Sequence, residues 1–380
     1  MEYSNTVLCV AGFSQLLKTF SIVFQNPQLG FSFVPDMKKP KILAIVIIVF
    51  STMLSSFAFY AFQIIYSPNF LVQGQSKALI IPTNSTFKDV QNIVYDQRYV
   101  NDLISFSFLS KLMKYHKNVK PGLYYLDADM TNIDVIRLLR SGEQTAVNVT
   151  FNNARLLEDL APKITKNLEM TEGEFLSEIH NDSMQQALGF DSLNFIGMFI
   201  PNTYQAYWNT SPEQLLVKLK TEYDKFWSEE RKNKAQSIGM SPKEVSVLAS
   251  IVQAETANEN ELKTVAGLYM NRLKKGIALQ ADPTLVFAAQ DFTIKRVLNV
   301  HKEIDSPYNT YKYKGLPPGP INMPEKKAID AVLNYGQHKY LYMCAKEDFS
   351  ENHNFATNLK DHLRNAEKYQ RALNKARVYK

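Results

Sequence analysis

Cysteine is almost missing: the 380 residues hold two, Cys9 and Cys344. That excludes a disulfide framework, and neither stands at a zinc-ligand spacing from another cysteine or a histidine. Glycine is sparse at 14 residues. No Gly-rich turn that could cradle a phosphate occurs, which argues against pyridoxal-phosphate chemistry and leaves no cofactor implied. Excess charge of one sign is lacking too. The 43 basic and 37 acidic residues are interleaved, and the net +6 makes no basic stripe of the kind that binds nucleic acid. There is no internal repeat or low-complexity tract. His301, His338, His353 and His362 are scattered, so solvated or core roles are their default.

The sharpest local absence is charge between Ile42 and Ser76. Ile42 to Tyr66 is almost wholly apolar and long enough to span a bilayer, which takes about 20 helical residues. Lys38, Lys39 and Lys41 precede it, so the positive-inside rule keeps residues 1–41 in the cytoplasm and sends everything after Tyr66 outside. Cys9 and Cys344 would then lie on opposite sides of the membrane, and no disulfide is expected. The run is too long for a typical signal-peptide core and no clean small-x-small cleavage site follows, so an uncleaved anchor is expected. Residues 1–36 have no clear period. Met37 with K-K-P-K reads as a natural start, and the upstream segment is expected to take no part in the exported fold.

Beyond the anchor, residues 67–77 read as a polar stalk. Residues 78–144 follow as a small module: a strand at Leu79 to Pro82, helices at Ser85 to Tyr95 and Asp102 to Lys114, a turn and strand at Pro121 to Leu126, and a helix at Asn132 to Ser141 stopped by Gly142. Residues 145–380 form the main domain, opening on a strand at Thr145 to Phe151. Helices are expected at Leu156 to Leu168, Glu172 to Ile179 and Pro212 to Ser237, the last with Leu215, Leu219, Tyr223 and Phe226 facing the core. The fold class is α+β behind a single transmembrane helix.

Ser241 to Thr284 carries the chemistry. Ser241 is a strong N-cap, Pro242 suits the first helical position and Glu244 completes a capping box. Val245, Leu248 and Val252 share one helical stripe, and Glu255 comes three residues later at its edge. A carboxylate held there is open to burial, and burial raises its pKa into the range of a general acid at neutral pH. A solvated or salt-bridged glutamate is the bland alternative. Gln280 and Asp282 sit on a tight loop after the next helix; Asp282 before Pro283 reads equally well as an N-cap or as a sugar contact. Tyr308, Asn309 and Tyr311 suit a glycan groove, rings on apolar sugar faces and an amide on hydroxyls, or else an ordered loop packed by its own rings.

The words A-S-I-V-x-x-E-T (Ala249 to Thr256), N-R-L (Asn271 to Leu273), L-Q-A-D-P-T (Leu279 to Thr284), Y-N-T-Y (Tyr308 to Tyr311) and G-L-P-P-G-P-I (Gly315 to Ile321) stand in one order. Together they resemble the MltG, or YceG-like, family of endolytic murein transglycosylases, from about Leu79 onward. The resemblance implies that Glu255 is the catalytic acid and base, and that Gln280, Asp282, Tyr308, Asn309, Tyr311 and, in a late F-x-T-N word, Asn358 line the glycan site. It implies that 78–144 is a LysM-like module, and that the substrate is the MurNAc–GlcNAc bond, opened to a 1,6-anhydroMurNAc end without metal or cofactor. Peptidoglycan strands are then the partner, beside wall-synthesis or division machinery, with the domain on the outer side of the inner membrane. A glycan-binding scaffold with an inactive acid is the competing reading. The chain departs from the family's pattern at Asn152-Asn153-Ala154, in place of a Pro-Glu-Gly turn, and at Gln253, where relatives carry a second acid.

Overall fold

The structure is a computed structural model that describes residues 39–72, 74 and 76–376; the expectations for residues 1–36 and Cys9 lie outside them. The chain divides into two compact units, Met1–Ser67 and Pro68–Lys380.

In the first unit, helix α1 spans Lys39–Tyr66. Its window Lys41–Tyr66 has mean hydropathy 2.5 and none of it is buried by protein. A helix apolar on every side, about 42 Å long at the standard rise, has the length and composition to cross a bilayer.

The second unit opens with a small βααβα assembly. Strand β1 (Ser76–Ile81) is followed by α2 (Phe87–Asp96), α3 (Leu103–Leu112), β2 (Gly122–Asp127) and α4 (Asn132–Ser141). β1 and β2 pair antiparallel from Ser76↔Asp127 to Ile81↔Gly122. Each helix starts on a side-chain cap: Thr86 with Asp89, Asp102 on the Ile104 amide, Thr131 with Asp134. Gly142 ends α4 in the left-handed region, φ 75°. Leu79, Ile81, Val90, Phe106, Leu126, Val135 and Leu139 make the core.

Asn69 and Phe70, within the segment expected to be a stalk, are folded into this assembly. Phe70 is 5% exposed and packs edge-on against Phe106. The Asn69 amide donates to the Asp102 carbonyl and Asn132 Oδ1, and Asn69 Oδ1 accepts from the Asp102 amide. A buried ring and a satisfied buried amide tie these residues down where polar composition alone suggested a spacer.

The main body follows as β3 (Ala146–Phe151), α5 (Ala161–Thr165), α6 (Glu172–Ile179), α7 (Asp182–Ala187), β4 (Asn202–Tyr207), α8 (Pro212–Phe226), α9 (Glu229–Ser237), α10 (Pro242–Glu255), α11 (Leu262–Lys274), α12 (Asp282–Ala289), α13 (Asn299–Lys302), α14 (Lys326–Leu333), β5 (Tyr342–Ala345), β6 (His353–Ala356) and α15 (Leu359–Lys375). β3 pairs antiparallel with β4, and β5 with β6.

Two helices differ from expectation. The helix expected over Leu156 to Leu168 is only α5, because the Asp159 carboxylate accepts from the Arg155 and Leu156 amides and holds the chain in turns. The helix expected over Pro212 to Ser237 is two. Trp227, 1% exposed, turns into the core, and Ser228 caps a new helix whose first turn carries Glu229 and Glu230.

The core is centred on α10, which packs against α11, α12 and α14. Its start matches the sequence reading: Ser241 accepts from the Glu244 amide and Glu244 returns the bond. Val245, Leu248, Ile251 and Val252 are fully buried, so truncating any of them to alanine should cost about 2–4 kcal/mol.

Candidate active site

Glu255 is the last residue of α10; Thr256 leaves the helix in extended conformation, φ −143°. The stripe of Val245, Leu248 and Val252 points into the core, so the carboxyl at its end is carried into protein as well. Burial is the largest influence on it and pushes its pKa from 4.5 to about 7. The nearby Asp282 carboxylate adds to the rise, while a hydrogen bond from Tyr269 and the positive charge of Arg272 oppose it. Tyr269 Oη donates to Glu255 Oε1 at 2.6 Å. Burial, then the Glu255 charge, hold the Tyr269 phenol well above its ordinary range, so it stays a donor.

Glu255 and Asp282 face two cavities. The larger, about 1070 Å³, is walled by Asn153, Arg155, Phe287, Phe292, Ile321 and Asn322. The smaller, about 410 Å³, is walled by Arg272, Gln280, Tyr311, Tyr342, His353 and His362. Both cavities therefore border the acid, an arrangement that suits an extended polymer lying across it.

Asp282 is the first residue of α12, and no side chain caps that helix. Of the two readings open for Asp282, the cap is absent: its carboxylate instead accepts from Tyr311 Oη at 2.5 Å. Burial first, then this bond, raises the Tyr311 phenol far above its usual range. Gln280 borders the smaller cavity with a left-handed backbone, φ 51°, held by its amide bond to the Thr310 carbonyl and by Arg272 Nη2 on its Oε1.

The structure therefore brings Glu255, Gln280, Asp282 and Tyr311 together. The other three expected contacts stand elsewhere. Tyr308 packs on Phe287 with ring centroids 4.7 Å apart, and burial pushes its phenol up to about 12. Asn309 is fully buried. Its amide donates to the carbonyls of Lys302 and Ile304, and its Oδ1 accepts from the Tyr311 and Lys312 amides. It shapes the loop that carries Tyr311 and has nothing left for a sugar. Asn358 caps α15 on the Asp361 amide at 2.9 Å; its neighbours Leu359 and His362, not Asn358, reach the smaller cavity.

The remaining words act on the cleft through its walls. Ser250 Oγ donates to the Val247 carbonyl and accepts from the Ile321 amide at 3.0 Å, which fastens the Gly315 to Ile321 loop to α10. A Cβ at Gly319 would fall 1.8 Å from the Leu193 carbonyl oxygen, so glycine is needed there. Gln253 accepts from the Glu325 amide at 2.7 Å and ties α10 to the start of α14.

Sequence reasoning missed Tyr269 and Arg272. Tyr269 continues the buried stripe of Leu262, Val265 and Ala266, so periodicity alone marks it as core. Arg272 lies in the N-R-L word, but only folding brings it beside Glu255. His353, His362 and Tyr342 arrive from the C-terminal hairpin and helix, more than 85 residues away in sequence.

The YceG-like family profile matches residues 79–368. The chain is 26% identical over 359 residues to a protein of Streptococcus pneumoniae serotype 2 named endolytic murein transglycosylase; the match covers 86% of this chain and 64% of that one, just under two thirds of its length. A Bacillus subtilis protein of the same name is 27% identical over 321 residues, covering 78% of this chain and 87% of its own. The crystal structure of a YceG-like protein from Listeria monocytogenes superposes with a TM-score of 0.51 at 25% identity, over 77% of this chain and 99% of that one. With its module and main domain spanned by one profile, the chain belongs to the YceG-like family.

Proposed function

We propose that the chain is a membrane-anchored endolytic transglycosylase that cuts peptidoglycan strands at the MurNAc–GlcNAc bond. The observation that carries this reading is Glu255: a carboxyl raised to about 7 by burial, bordering both cavities. At neutral pH such a group can give a proton to a leaving oxygen and take one back.

The steps balance on that one group. The Glu255 carboxyl protonates the glycosidic oxygen as the C1–O bond of MurNAc breaks, and the GlcNAc 4-hydroxyl leaves. The C6 hydroxyl of the same MurNAc attacks C1, and its proton passes to the Glu255 carboxylate. No water enters, so no second base is needed to activate one. Asp282, beside Glu255 and bonded to Tyr311, supplies negative charge near the positive charge that develops at C1. Tyr269 donates to Glu255 throughout and stabilises the carboxylate midway. Gln280 and Tyr311 are the first sugar contacts in the smaller cavity, and Phe292, backed by Arg155 at 4.5 Å, is an aromatic wall in the larger.

Residues 78–144 serve as a LysM-like glycan-binding module; the β-α-α-β order with an antiparallel strand pair supports this. Lys38, Lys39 and Lys41, ahead of the apolar run that begins at Ile42, favour export of everything after Tyr66. The relatives' names suggest peptidoglycan as the partner, and enzymes of strand synthesis or division are the machinery beside which such a cut would be useful. Incubating the protein with purified uncrosslinked strands tests the proposal: internal cuts that disappear in Glu255→Gln support it, and uncut strands overturn it.

A further inference from the structure

The smaller cavity contains a charge that the reaction above does not use. Arg272 is 7% exposed. A guanidinium carries five N–H donors, and this one makes two bonds, both to neutral acceptors: Nη1 to the Leu279 carbonyl at 2.5 Å and Nη2 to Gln280 Oε1 at 3.3 Å. Its Nε is buried without an acceptor. Among the described residues no carboxylate comes within 4.0 Å of it. The acids that border the same cavity are engaged elsewhere, Glu255 with Tyr269 and Asp282 with Tyr311.

A buried cation with most of its donors unspent is costly unless a partner arrives. The rest of the wall does not compete for that partner. His353 is bonded to Glu261 at 2.8 Å. Burial, then the Arg272 charge, keep His362 below its ordinary pKa. Tyr342 lies against the guanidinium, 5.4 Å from its ring centroid, which orients it without neutralising it.

We propose that Arg272 is a specificity residue that binds a carboxylate carried by the muramyl sugar. The inference rests on the strand-cutting reading. The sugar whose C1 reacts must lie against Glu255, and the same ring bears the lactyl ether at C3. The acidic groups of a strand are on that ether: its own carboxylate where the peptide is absent, or the carboxylates of the stem peptide where it is present. A cavity of about 410 Å³ that shares Glu255 with the cleft and is floored by an unpaired guanidinium fits that arm. A fork of parallel N–H donors is the usual geometry for holding a carboxylate.

The test uses the full chain in detergent and four substrates: peptide-free strands and peptide-bearing strands, each with its carboxylates free or converted to amides. For the wild type, amidation should raise KM about tenfold to a hundredfold with kcat little changed. The strand type in which amidation matters names the source of the carboxylate. Arg272→Met should lose that discrimination, and Arg272→Lys should keep part of it. Equal KM for free and amidated strands of both types overturns the proposal, as does a folded Arg272→Met that still discriminates. If Arg272→Met does not fold, the wild-type comparison alone decides. Binding of the same strands to Glu255→Gln separates the two readings: discrimination in binding without cleavage by the wild type would keep the subsite and reject the activity, while cleavage without discrimination would do the reverse.

Discussion

Replacing Glu255 by glutamine should remove activity and, at the same time, stabilise the unit Pro68–Lys380 above neutral pH. A carboxyl displaced from 4.5 to about 7 costs the folded state about 3 kcal/mol once it is ionised. The sign follows from where the protons are. Below pH 4.5 the group is protonated folded and unfolded, and contributes nothing. Between 4.5 and 7 the unfolded chain ionises while the folded one keeps its proton, so stability falls as pH rises. Above 7 the folded carboxylate is charged in a poor solvent and the full penalty stands. Glutamine keeps the shape and can still accept from Tyr269 Oη, but never ionises. Urea unfolding of Pro68–Lys380 across pH 4 to 8 should therefore give equal stabilities at pH 4 and a variant more stable by about 2–3 kcal/mol at pH 8. Water reaching the carboxyl through the cleft makes the upper figure a ceiling. A difference that does not change with pH would refute the placement of Glu255 in a desolvating site.

Tyr269→Phe removes the bond that opposes the rise in the Glu255 pKa, so the high-pH limb of the rate profile should move to higher pH; an unmoved limb would mean that Tyr269 does not govern the acid. Ser250→Ala strands the Ile321 amide and should cost about 1–3 kcal/mol in denaturant unfolding, with strand cutting falling further than stability as the Gly315 to Ile321 wall loosens. Phe70→Ala should destabilise Pro68–Lys380 by about 3 kcal/mol; no change would return residues 67–77 to the role of a free stalk.

The start of α10 was readable because its signals are local: a serine cap, a proline at the first helical position and Glu244 three residues on all act within one turn. α4 was readable for the same reason, with Asn132 at its start and Gly142 at its end. The break at Trp227 was not, because it depends on a ring reaching a core assembled from distant segments. Glu255 and the direction of its pKa could be picked out from a stripe and a word, but the groups that tune that pKa could not, since Tyr269, Arg272 and Asp282 come from other elements. Asn309 shows the opposite failure. An amide between two tyrosines has the composition of a sugar contact, and only the folded loop shows that all its hydrogen bonds are internal.

The end group left on a cut strand tests the central claim most directly. Strands digested by the protein and analysed by mass spectrometry should carry 1,6-anhydroMurNAc termini, lighter by one water than hydrolytic ends, and should carry none with Glu255→Gln. Reducing MurNAc termini would contradict the account, because water would then have been the nucleophile and a second carboxylate, Asp282 first, would have to activate it.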